Sequence, residues 1–142
     1  MENITIELAK ETDIPFMLKL WRDSPGVGLG AGDDEDSLAA FMRKNPSTCL
    51  VMKYQDNIIG TVLAGFDGRR GYIYHLVVHR DFRGQGYGKR LLQEVVMQLK
   101  AIKAGKIHLF VFNNNSLAMA LYEKQGWIKR NDINIYSLDV TK

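Results

Sequence analysis

The sequence predicts a single α/β domain built around a mixed sheet and spanning residues 1–142. Three observations carry that expectation. Apolar residues recur in short alternating or unbroken runs bounded by turn residues, the mark of strands. Elsewhere the apolar spacing lengthens to that of a helix, most clearly over 88–103. A length of 142 residues suits one core, and 46% hydrophobic with 25% charged residues is ordinary for a folded globular chain.

Residues 3–9 alternate Ile4, Ile6 and Leu8 with polar neighbours and read as a strand with one buried face. Residues 13–23 set Ile14, Met17, Leu18 and Trp21 at helical spacing, with Thr12 or Asp13 as the expected cap. A loop rich in glycine and acid, SPGVGLGAGDDEDS, leads to a short helix over 37–44 that stops at Asn45-Pro46. Strand-like runs follow at 48–54, 58–66 and 71–78, separated by hairpin turns at Gln55-Asp56-Asn57 and Asp67-Gly68-Arg69-Arg70. The helix over 88–103 gathers Leu91, Leu92, Val95, Leu99 and Ile102 on one face, and Gly105 is placed to end it. A strand at 106–112, a helix from about 116 to 125 closed by Gly126, and two strands near 127–131 and 133–140 complete the order. No repeat, linker or low-complexity segment divides the chain.

Composition narrows the function classes. The start, MENITIELAKETDIP, has charges every few residues and does not read as a signal peptide. No apolar run approaches a membrane span in length. One cysteine, Cys49, has no internal partner, which points to a reduced, cytoplasmic setting. The net charge of +3 is too small to argue for nucleic acid. The cations cluster instead: Arg69, Arg70, Arg80, Arg83, Lys89 and Arg90 occupy one short span, as a site for a small anion would require.

Within that span Gly84, Gly86 and Gly88 alternate in RDFRGQGYGKR. A Walker loop is excluded, since Arg90 stands where its hydroxyl should be. The dinucleotide fingerprint fails too: Lys89 replaces its third glycine, and the region that should end a second strand in an acid is helical. What remains is the physics those loops share. A buried strand runs into a loop whose glycines leave N–H groups uncovered, and the loop opens a long helix whose start favours a pyrophosphate. Arg83, Lys89 or Arg90 can add ion pairs. A merely tight turn would need one glycine.

LVVHRDFRGQGYG resembles the acetyl-coenzyme A loop of the GNAT superfamily of N-acetyltransferases, whose Arg/Gln-x-x-Gly-x-Gly/Ala pattern is filled by Arg83, Gly86 and Gly88. NSLAMALYEKQGW resembles a second landmark of that family, through Asn115, Tyr122, Glu123, Lys124, Gly126 and Trp127. The element order is similar along nearly the whole chain, and GFDGRRGYIYHLVV resembles a bacterial branch known generically as acetyltransferases. The resemblance implies a GNAT-type mixed, mostly antiparallel sheet flanked by four helices. It implies that acetyl-coenzyme A is the cosubstrate. Leu76, Val77 and Val78 would pair with its pantetheine arm, and Arg83, Gly84, Gln85, Gly86, Tyr87, Gly88 and Lys89 would hold its pyrophosphate. Asn115 would touch it from the neighbouring strand end. The strands at 71–78 and 106–112 would splay, with the thioester between them.

Acetyl transfer to an amine sets three requirements. An alkyl ammonium, with a pKa of about 10.4, must first lose a proton. The oxyanion needs a donor, for which the backbone N–H of Val77 or Val78 is suited. The leaving thiolate needs a proton, and the resemblance gives that task to Tyr122; the competing reading is a core aromatic beside Leu121. The family's glutamate base is absent from both strands, which carry Tyr72, Tyr74 and His75 on one and His108, Phe110 and Phe112 on the other. His75 has the right intrinsic chemistry for a base, and a satisfied core histidine is the equal alternative. A water chain is a third route for the proton.

The remaining candidates read blandly. Cys49 lies in a buried strand and is no nucleophile. His75 and His79 straddle a strand end, and no cluster has metal-ligand spacing, so no metal is expected. The run Asp33–Asp36 is a solvated loop with a helix cap, or a lure for a cationic amine. Trp21 is core, or lines the acceptor pocket. The expectation is therefore direct acetyl transfer, in a ternary complex, to a primary amine on a small molecule, a peptide or a protein. The alternative is a non-catalytic acyl-coenzyme A binding or sensing module. No nucleic-acid or membrane partner is expected, and the resemblance allows a homodimer.

Overall fold

The computed structural model describes residues 3–141. They form two compact units, Met1–Phe110 and Val111–Lys142. The first unit holds a five-stranded sheet in the order β1-β2-β3-β4-β5. Its strands are β1 (Ile4–Leu8), β2 (Cys49–Tyr54), β3 (Asn57–Phe66), β4 (Arg70–Val78) and β5 (Lys106–Leu109). The first four strands pair antiparallel with their neighbours, while β5 pairs parallel to β4. Helices α1 (Ile14–Arg22), α2 (Glu35–Lys44) and α3 (Tyr87–Ala101) belong to the same unit, and α4 (Ser116–Lys124) belongs to the second.

Local chemistry explains most of these boundaries. The β2–β3 hairpin turns on Gln55 and Asp56, both left-handed at φ +51° and +67°, as a tight two-residue loop between right-twisted strands demands. The next hairpin is held by Asp67, whose Oδ1 accepts the N–H groups of Arg69 and Arg70, each at 2.8 Å. Asp34 caps α2, accepting the Ser37 N–H at 3.0 Å. The parallel β4–β5 pair requires a long crossover, which α3 supplies.

Alternation along the strands sorts the core into two faces. Cys49, Val51, Leu63 and Val77 pack with Ile14, Met17, Leu18, Leu20 and Trp21 of α1 and with Leu38 and Met42 of α2. The other face receives α3, which comes close because two glycines make room. A Cβ on Gly60 would lie 2.9 Å from Leu91 Cδ1 and 3.2 Å from the Val77 carbonyl oxygen, and one on Gly71 would lie 2.9 Å from Leu99 Cδ2. Leu91, Leu92, Val95 and Leu99 are buried as a result.

Three expectations require correction. Asp13 does occupy the N-cap position of α1, but its side chain makes no cap bond to that helix: a 3₁₀ turn, Glu11–Asp13, precedes it, and the Asp13 carboxylate accepts the Lys10 N–H at 2.8 Å. The strand expected over 106–112 ends at Leu109. The two strands expected at 127–131 and 133–140 are absent: among the described residues no strand follows α4. Its alternating Ile133 and Ile135 satisfy the side-chain period of a strand, yet a ladder also needs a partner for its backbone groups. In the second unit α4 is capped by Asn115 Oδ1, which accepts the Ala118 N–H at 3.1 Å. It closes at Gly126, left-handed at φ +94°.

Truncating the α3 face should be costly. Leu91→Ala is expected to lower the unfolding free energy by about 2–5 kcal/mol. A fall in the urea midpoint at unchanged slope measures it, and a loss below about 1 kcal/mol would contradict this packing.

Candidate active site

The site begins with an extra residue in β4. Opposite β3, Thr61 pairs with Val77 while Leu63 pairs with Tyr74, so two β4 residues, His75 and Leu76, face Val62 alone. His75 takes the strain, at φ +50°. The bulge puts two consecutive side chains on one face. Tyr74 meets Phe41 of α2 edge-on at 6.1 Å, and the His75 ring stacks on Trp21 of α1 at 4.2 Å and 25°. Without the inserted residue, His75 would point to the α3 face with Ile73.

Both the ring and the backbone of His75 are held. Its carbonyl accepts the Thr61 hydroxyl at 2.8 Å, and that hydroxyl oxygen accepts the Trp21 indole N–H at 2.9 Å. Nε2 of the ring lies 3.0 Å from Asp33 Oδ1, a contact between largely buried side chains. Asp33 Oδ2 accepts the Gly30 N–H at 2.9 Å. The sequence offered Asp33 only as part of an acidic run; its contact with His75 went unseen because the two lie 42 positions apart, and no spacing signals such a contact.

The same strand then offers an open edge. Pairing with β5 ends at Ile73 and Leu109, so beyond that point β4 has, among the described residues, no strand on its β5 side. The His79 N–H bonds the Ile59 carbonyl at 2.7 Å toward β3. Alternation therefore turns the Val77 N–H toward β3 and the polar groups of Val78 toward the open edge. There the Val78 carbonyl accepts Arg83 Nε at 2.9 Å, which folds the arginine back over the strand end.

Beyond β4, a 3₁₀ turn at Arg80–Phe82 leads into the glycine loop. Gly84 and Gly86 are left-handed, at φ +77° and +85°, and a Cβ on either would meet nothing within 4 Å. Their need for glycine is thus conformational, and backbone of alternating hand is the kind whose successive N–H groups can converge on an anion. Gly86 is also the residue at which α3 starts, with no side-chain cap and no acid in the first turn. Gln85 and Lys89 are exposed, Gly88 is half-buried, and the Tyr87 ring is buried with the Arg90 guanidinium 5.7 Å from its centroid. An uncapped helix start behind a left-handed glycine pair fits a diphosphate.

In the second unit, Tyr122 packs beside Trp127 with ring centroids 6.2 Å apart. Burial raises its hydroxyl pKa above the ordinary value of 10.0, so the neutral, proton-bearing form is favoured. Asn115 spends its carbonyl oxygen on capping α4, which leaves its amide N–H₂ as the donor it can offer a ligand.

The acetyltransferase (GNAT) family profile matches residues 14–127. The chain belongs to that family. It is a GNAT acetyltransferase, and its reaction is acyl transfer from acetyl-coenzyme A. An acetyltransferase from Pectobacterium atrosepticum is 32% identical over 119 residues, 84% of each chain. Two crystal structures share the fold at lower identity. Ard1 from Thermoplasma volcanium superposes with a TM-score of 0.78 at 18% identity, covering 88% of this chain and 82% of its own. A chain of the NatC complex bound to Gag peptide and CoA does so with a TM-score of 0.79 at 22% identity, covering 92% and 87%.

The remaining candidate residues of this GNAT chain make contacts within the protein. His108 lies against Tyr72, with ring centroids 5.7 Å apart, and Phe110 stacks on Tyr74 at 6.4 Å. Asp34 is engaged by Ser37 at the start of α2, so that member of the acidic run is committed to structure. Among the described residues no three His, Cys, Asp or Glu side chains form a group fit for a metal ion. No helix there is long and apolar enough to cross a membrane.

Cys49 is buried, and desolvation pushes its thiol pKa up to about 12. The thiolate is the reactive form, so the folded protein at about pH 8 should leave DTNB unconsumed, while the denatured chain takes up one equivalent. Rapid reaction of the native protein would return Cys49 to the list of candidate nucleophiles.

Proposed function

We propose that the chain acetylates a primary amine by direct attack within a ternary complex, with no acyl-enzyme. The observation that carries this reading is the run from the open edge of β4 into the left-handed Gly84 and Gly86 and the uncapped start of α3. Such a run offers strand-like backbone partners and an anion cradle in series, as an extended chain ending in a pyrophosphate requires. When bound, acetyl-coenzyme A supplies the activated carbonyl and a thiolate leaving group.

The roles of His75 and Val78 then follow from chemistry, and that of Tyr122 from the family resemblance. His75 takes a proton from the substrate ammonium, leaving the electron pair on nitrogen to form the new C–N bond. The Val78 N–H, on the open edge, donates to the carbonyl oxygen as negative charge develops there. Collapse of the tetrahedral adduct breaks the C–S bond; the Tyr122 hydroxyl gives its proton to the departing sulfur, and the second proton that the new amide nitrogen sheds passes through water to restore that hydroxyl. A raised pKa suits that task, because the hydroxyl stays protonated past the ordinary tyrosine range. Leu76 and Val78 line the pantetheine arm. Arg83 and Lys89 flank the pyrophosphate.

Release of free coenzyme A thiol tests the reading, with spermidine, an Ala-initiated peptide and an internal lysine peptide as acceptors. The peptide N-terminus earns its place because a fold relative was crystallised with peptide and CoA. Tyr122→Phe is expected to lower kcat by about 100-fold with coenzyme A affinity retained. Unchanged turnover would remove Tyr122 as the acid, and no turnover with any amine despite tight binding would argue for a binding module.

The anion cradle has its own test. Valine at φ +85° is strained by about 1–3 kcal/mol, so Gly86→Val should weaken coenzyme A binding by about tenfold or more in a calorimetric titration. Undiminished affinity would place the pyrophosphate elsewhere.

A further inference from the structure

The reading of His75 as the base leaves open which ring nitrogen works and what aims it. A carboxylate can only accept, so the 3.0 Å contact between Asp33 Oδ1 and His75 Nε2 requires the hydrogen on Nε2. In the neutral ring the lone pair then lies on Nδ1, which has no protein hydrogen bond among the described residues. Stacking on Trp21 fixes the plane of the ring, and the Thr61 hydroxyl fixes the backbone beneath it. Asp33 is itself fixed, because its second oxygen is held by the Gly30 N–H.

We infer that Asp33 is a positioning residue for catalysis, holding His75 in the Nε2–H tautomer so that Nδ1 accepts the substrate's proton. This inference rests on the reading of His75 as the base. In the step, an N–H bond of the ammonium breaks, its electron pair stays on nitrogen, and the proton forms a new bond to Nδ1. The ring then carries one positive charge, against which the Asp33 carboxylate lies. The proton leaves afterwards to water. A helix-connecting loop thereby supplies the carboxylate that neither β4 nor β5 carries. It supplies it as a partner of the base, not as the base.

Asp33→Asn separates this role from a structural one. The Gly30 N–H claims the amide oxygen of the asparagine, so its N–H₂ faces Nε2 as a donor. The ring must then accept at Nε2 and carry its hydrogen on Nδ1, the atom that should receive the proton. Long-range ¹H–¹⁵N spectra, with the His75 signals assigned by their loss in His75→Gln, should report Nε2–H in the native protein and Nδ1–H in Asp33→Asn. With whichever of the three amines turns over, Asp33→Asn should lower kcat by about 100-fold at little changed KM and coenzyme A affinity. In the His75→Gln background the same substitution should cost no more than about twofold. An unchanged tautomer, or losses that add in the double variant, would overturn the role of Asp33 while leaving His75 as the base. Undiminished kcat in His75→Gln would instead remove the base, and this inference with it.

Discussion

The single inserted residue of β4 is the constraint on which the site depends, and one buried hydroxyl maintains it. Thr61 sits in the middle of the sheet, fully buried, with no water available to its oxygen from solvent. It donates to the His75 carbonyl and accepts from the Trp21 indole, so both of its capacities and one polar group on each neighbour are satisfied together. A non-glycine residue at φ +50° is strained by about 1–3 kcal/mol and persists only where its surroundings over-determine it. Here the surroundings are a hydrogen bond below the residue, a stacked indole on its ring and a carboxylate at its tip.

From that bulge the rest of the site follows along one strand. Before it, β4 is an inner strand with partners on both sides; beyond Ile73 it has one partner. The polar groups of Val78 are thereby left toward the open edge, and the chain passes within a few residues to the start of α3. The glycines that let α3 lie close to the sheet, Gly60 and Gly71, support the same geometry from beneath. A helix positioned by the burial of Leu91, Leu92, Val95 and Leu99 holds its N-terminal dipole at the end of the glycine loop, where an anion is favoured. Core packing on one face of the sheet thus supports binding at its edge.

Much of this was legible in the sequence, and the failures have physical causes. Leu91, Leu92, Val95 and Leu99 repeat with the period of a helix because one face of α3 is buried throughout. Gln55-Asp56 announces its hairpin because few residues tolerate a left-handed turn. Gly84 and Gly86 announce a tight loop because few other residues tolerate its left-handed turns. The bulge leaves no such trace: Tyr74, His75 and Leu76 read as ordinary alternation, and an inserted residue shows only in the register against β3. The pairing of Asp33 with His75 depends on how a 42-residue interval folds back. Ile133 and Ile135 err in the opposite way. Period-two patterning is necessary for a strand but does not supply the partner that makes one.

The acidic loop between α1 and α2 shows how a charge run can be spent one residue at a time. Taken as a group, Asp33, Asp34, Glu35 and Asp36 suggest a diffuse negative field. Taken singly, Asp34 closes the first turn of α2 through Ser37, and Glu35 and Asp36 lie in that turn, where the helix dipole favours acids. Asp33 faces the other way, joining the loop's own Gly30 to the ring of His75. The order is not interchangeable. Moving the cap one residue earlier would take from His75 the only carboxylate that reaches it among the described residues. The position of α2's first turn and the orientation of the histidine are therefore one constraint, set by two adjacent aspartates with opposite tasks.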